Sequence, residues 1–106
     1  MRICLISKEL EPMILDGKLS IYDCGIVKVA PRDWRVVDTQ TGAYLAKGLR
    51  SKKECDDFMS ALPEEKIQKL KAARESERGK ELAEIVRKAL IADMESKWKN
   101  LSISAK

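Results

Sequence analysis

The chain has 106 residues, 44% hydrophobic and 36% charged, with 21 Lys and Arg against 17 Asp and Glu for a net charge of +4. That length supplies one core, burying roughly 60 to 70% of the unfolded surface, and the composition excludes a disordered polyelectrolyte. It also excludes a transmembrane helix, which needs about 20 consecutive apolar residues, and all imidazole chemistry, since there is no histidine.

In chain order, Arg2 to Ile6 is β-compatible, and its apolar stretch is too short for a signal peptide, so a cytoplasmic location is expected. Met13 to Tyr22 carries two apolar runs around Asp16-Gly17, which predicts a first hairpin turning there. Gly25 to Val29 is a short β-branched run ended by Pro31. Trp34 to Asp38 and Ala43 to Lys47 flank Thr39-Gln40-Thr41-Gly42, predicting a second hairpin in which Gly42 supplies a positive φ.

Ser51-Lys52-Lys53-Glu54 has the form of a capping box, and Cys55, Phe58, Met59 and Leu62 then recur at helical spacing. Pro63 closes that helix or opens the next one. From Glu64 onward the chain reads as helix, polar nearly all round between Lys71 and Arg78, with a break expected near Gly79. Beyond it Leu82, Ile85, Val86, Ala89, Leu90, Met94 and Trp98 form an apolar stripe, with Glu84 and Lys88 paired on the polar side. The stripe is expected to cover the sheet or to form a homodimer through Leu82, Val86, Leu90 and Trp98. The predicted fold is α+β, a single domain over 1–106, with a small antiparallel sheet of hairpins packed against two or three helices. Its parts are a β-rich segment over 1–49, a capped helix over 51–62, a helical segment over 64–99 and a frayed tail over 100–106.

Cys4, Cys24 and Cys55 are widely spaced and read as reduced, buried thiols. Neither CxxC spacing nor Cys/His pairs are present to bind zinc, the five glycines are scattered singly, and no phosphate loop is formed. Asp16, Asp23, Asp33 and Asp38 lie near turns, where turn chemistry alone accounts for them. The expectation is therefore a non-enzymatic protein with no cofactor and no metal.

Charge is unevenly spread. From Lys28 to Lys53 seven basic residues face two acidic ones, a local +5, and from Lys66 to Lys80 six face two, a local +4. A three-residue loop at Gln40-Thr41-Gly42 would set Val37 opposite Leu45, Val36 opposite Ala46 and Arg35 opposite Lys47. Those like charges either splay into water or share an anion such as phosphate. Trp34 and Tyr44 are expected on the same face as Val36 and Ala46, packed in the core and not stacked on bases.

The order strand, short turn, strand, then Lys47-Gly48-Leu49-Arg50-Ser51-Lys52-Lys53-Glu54-Cys55-Asp56-Asp57-Phe58, resembles the arm-type DNA-binding domains of phage-like tyrosine integrases. The resemblance covers Trp34 to Leu62. Leu49 stands where the family usually has an aromatic, and Cys55 where alanine is usual. It implies a three-stranded sheet whose face enters a DNA major groove, with Arg35 and Lys47 toward the groove and Arg50 and Lys52 near phosphates. The function expected is a nucleic-acid-binding accessory protein of phage or mobile-element type, contacting nucleic acid or a nucleoprotein complex through Arg32, Arg35, Lys47, Arg50, Lys52, Lys69, Arg74 and Arg78. The alternative is a small protein-binding inhibitor or adaptor of the anti-CRISPR or other anti-defence type.

Overall fold

A computed structural model describes the backbone of residues 1–104 and the side chains of residues 1–96. The fold is α+β. Five antiparallel strands, β1 (Arg2–Ile6), β2 (Pro12–Leu19), β3 (Cys24–Ala30), β4 (Asp33–Asp38) and β5 (Tyr44–Leu49), lie in sequence order in the sheet. Three helices follow, α1 (Lys52–Ser60), α2 (Glu64–Glu75) and α3 (Glu77–Ser104). Among the described residues no helix is long and apolar enough to cross a membrane.

The first hairpin does not turn at Asp16-Gly17. Both residues lie inside β2, which pairs with β1 from Pro12 to Asp16 and then with β3 from Gly17 to Leu19. The chain reverses instead at 7–11, where Leu10 holds φ 62° and its N–H donates to the Ser7 carbonyl. Gly17 serves close approach, because a Cβ there would sit 2.5 Å from the Ile26 carbonyl and 2.8 Å from Ile3 Cδ1.

That change of partner folds the β1–β2 hairpin over one face of β3–β4. Alternation in β1 then points Ile3 and Leu5 at Val27 and Val37, all buried, while Cys4 and Ile6 point the other way. Cys4 and Ile6 meet Val86, Leu82, Ile85, Ala89 and Leu90 of α3. The opposite face of β3–β4–β5 carries Cys24, Ile26 and Val36 against Cys55 and Met59 of α1. Leu82, Val86 and Leu90, expected either to cover the sheet or to form a homodimer, pack on β1 and β2, while Met94 of the same stripe is exposed. The Trp98 side chain lies outside the described residues.

The α1 capping box forms, with the Glu54 N–H donating to Ser51 Oγ at 3.2 Å. Its reciprocal bond runs to the Arg50 N–H, which donates to Glu54 Oε2 at 2.7 Å. The break expected near Gly79 falls at Ser76, which ends α2 in extended geometry with ψ 160°. Ser76 Oγ accepts from the Gly79 N–H at 3.0 Å, so Gly79 lies in the first turn of α3. There a Cβ would overlap the Ala73 carbonyl. The α3 backbone stays helical to Ser104, past the point where a frayed tail was expected. Cys4, Cys24 and Cys55 are free and buried, and burial pushes the Cys24 thiol up to about 11, with Asp38 adding to the effect.

Candidate anion-binding surface

The register places one set of residues together. Strands β3 and β5 run toward the Pro31-Arg32 turn and α1 starts from that end, so Lys28, Arg32, Lys47, Arg50 and Lys52 gather where Lys28 pairs with Trp34 and Trp34 with Leu49. Arg32 is exposed and holds φ 58°, a backbone region that costs an L-residue roughly 1–2 kcal/mol and that glycine would occupy more cheaply. Arg32, Lys47 and Arg50 are exposed and, among the described residues, have no carboxylate ion pair.

Arg35 departs from expectation. Val36 does face Ala46, but the register slips on both sides, so Val37 faces Tyr44 and Trp34 faces Leu49. The irregularity between Trp34 and Val36 falls where the Arg35–Lys47 pair was expected. The anion beside Arg35 is the chain's own Asp33: Arg35 Nη2 donates to Asp33 Oδ2 at 3.1 Å, while Asp33 Oδ1 accepts the Gly48 N–H at 3.0 Å. The Arg35 guanidinium also lies 4.9 Å from the centre of the Tyr44 ring. Tyr44 is therefore on the Arg35 side of the sheet, whereas Trp34 packs with the core under α1, as expected.

The Arg35 hydrogen bond, with help from Gly48 and the nearby charge of Lys47, holds the Asp33 carboxyl below the usual range. A lowered folded value means that this contribution is present above the ordinary carboxylate range and is lost as pH falls through the lowered value. Titration of the Asp33 carboxyl by NMR is expected to show the depression in the wild type, and Arg35→Gln should move the value back upward. An unchanged midpoint in the variant would exclude Arg35 as the cause.

The remaining expected cations do not join this end. Arg74 is the clearest correction. Its Nε donates to Asp38 Oδ1 at 3.0 Å, Nη2 lies 2.9 Å from the same oxygen, and Nη2 also donates to the Tyr22 carbonyl. With side chains 14% and 2% exposed, Arg74 and Asp38 form an internal pair at the far end of the sheet, where Cys24 faces Asp38. Asp38 also accepts from Thr41 Oγ1 at 2.8 Å and the Gln40 N–H at 3.0 Å, and Arg74 spans two residues of positive φ, Tyr22 and Asp23. Arg74 is thus a structural clamp and not a surface contact. Lys69 lies 3.6 Å from Glu65 on α2, and Arg78 3.6 Å from Glu81 on α3, both exposed one-turn pairs. Lys69 and Lys66 edge a groove of about 240 Å³ between α1, α2 and β5, lined chiefly by Phe58, Leu62, Leu70 and Leu45.

The chain matches no family model, no curated protein and no solved structure. Among the described residues no group of three or more Cys, Asp or Glu is placed to hold a metal ion. Two lysines outside the expected set, Lys18 and Lys28, share the Ile26 face of the sheet with Trp34. Lys28 Nζ stands 6.0 Å over the Trp34 ring. Reading Asp16-Gly17 as a turn hides Lys18, because only a continuous β2 brings it opposite Ile26.

Proposed function

We propose that this is a non-enzymatic nucleic-acid-binding protein that contacts phosphates through the end of the sheet carrying Arg32, Lys47 and Arg50. The observation that carries this reading is that those three cations, from the β3–β4 turn, β5 and the β5–α1 link, are exposed and free of carboxylate ion pairs among the described residues. Lys28 and Lys52 lie at the same end. Arg32 adds weight, because an arginine held at φ 58° where glycine is cheaper is a local cost of the kind found at binding sites.

The contact differs from the one implied by the integrase resemblance. The sheet face opposite α1 carries Val27 and Val37 beneath Ile3 and Leu5, so the centre of that face is covered. Phosphate contact is assigned to the end and edge of the sheet. Affinity for DNA is expected to fall with salt, with a log–log slope of roughly −0.9 per phosphate contacted in a duplex and −0.7 in a single strand. Arg32→Gln with Arg50→Gln should flatten that slope by about two contacts without shifting the thermal midpoint. A slope near zero in the wild type, or one unmoved in the double variant, would remove the reading.

A further inference from the structure

We propose that the cleft between β2, β3 and the start of α1 seats one unpaired nucleotide, its base against Trp34 and its phosphate among Lys18, Lys28 and Lys52. The cleft holds about 300 Å³ and is lined by these four residues with Ile26, Asp16 and Gly17. That volume is at the small end for ligand clefts, roughly 300–1,000 Å³. The inference deepens the nucleic-acid reading and rests on it, since it commits to a strand with exposed bases and not to a closed duplex.

Trp34 is half-buried and packs with the core under α1, which fixes the plane of its ring. The Lys28 ammonium approaches that ring at 6.0 Å, the outer limit of a cation–π contact, and has no carboxylate ion pair among the described residues. A cation held so loosely can turn to a phosphate while a base takes its place at the indole. Lys18 is likewise exposed and, among the described residues, without a carboxylate ion pair. Lys52 is paired with Asp56 at 3.6 Å, but both side chains are about half exposed, so the pair yields readily to a phosphate. Asp16, a carboxylate lining the cleft, is already countered by Arg2 Nη1 at 3.1 Å. A base inside a duplex has its faces stacked on its neighbours and cannot reach the indole, whereas an unpaired one can.

The test uses intrinsic fluorescence in a Trp98→Phe background, where Trp34 is the only tryptophan left of two. Oligothymidylate, the same strand in duplex with oligoadenylate, and thymidine monophosphate are titrated at equal low salt. Saturable quenching by the single strand is expected, with affinity falling roughly tenfold in Lys28→Met, an exposed site that leaves the circular dichroism unchanged. Equal quenching by the monophosphate would identify a free nucleotide as the source of the same chemistry. Duplex binding seen by anisotropy, with no quenching by either other probe, overturns this inference and leaves the phosphate-binding end intact. Binding of none of the three overturns both.

Discussion

Asp38→Ala is expected to cost about 3–5 kcal/mol, the penalty for leaving one partner of a buried ion pair uncompensated. The variant strands the Arg74 guanidinium, 14% exposed, and removes the acceptor for Thr41 Oγ1 and the Gln40 N–H. For a domain whose whole margin is about 5–15 kcal/mol the loss is large, and it should lower the thermal midpoint by at least about 12 °C. Removing both charges is a different perturbation. Asp38→Ala with Arg74→Met leaves no unpaired ion and should recover a substantial part of the loss, so a double-mutant cycle reports the coupling directly. A cost below about 1 kcal/mol for Asp38→Ala, the level of a solvent-exposed pair, would show that Arg74 and Asp38 are not held together in solution.

Val86→Asp should be more severe. Val86 of α3 is 4% exposed against Cys4 and Ile6 of β1, and a carboxylate there would be buried among those side chains and Leu82, Ile85 and Leu90. The lost burial amounts to about 1.5–3 kcal/mol and the desolvated charge adds several more, which together reach the whole stability of a small domain. Loss of the cooperative thermal transition is the expected result. Val86→Ala, which removes volume without adding charge, should keep the transition at a lower midpoint. A Val86→Asp protein that melts like the wild type would mean that α3 is not docked on the β1–β2 hairpin.

Legibility in the sequence followed how local each cause is. The capping box was readable because Ser51 and Glu54 are three residues apart and the bond joins just those two positions. Gly42 was readable for the same reason, since its φ of 74° is a demand of its own turn. Asp16-Gly17 misled because two physical causes leave the same mark. A glycine that turns a hairpin and one that admits Ile3 and the Ile26 carbonyl look alike until the neighbouring strand is known. Arg74 was opaque since Asp38, Asp23 and Tyr22 lie 36, 51 and 52 residues away, and a charge count treats it like any solvated arginine. The Arg35–Asp33 pair is local, at a spacing of two residues, but an ideal hairpin register sets Lys47 beside Arg35, and only the slipped register removes that neighbour. Ser76, a serine that can cap, lies three residues before Gly79, a glycine that can break, and the two marks cannot be told apart until the backbone shows the break at the serine.

Because the five strands form a meander in which each pairs only with its neighbours in sequence, the sheet assembles from short loop closures, and closure entropy rises slowly with length. Topologies of that kind fold quickly for a sheet protein. The contacts of α3 with β1 run against the pattern: Cys4 and Ile6 meet Val86, and Arg2 donates through Nε and Nη2 to Asp93 across 91 positions, joining the first strand to the last helix. Docking of α3 is therefore expected late on the folding path, after the hairpins have made the surface on which it lands, and a φ-value near zero for Val86→Ala would be the sign of it.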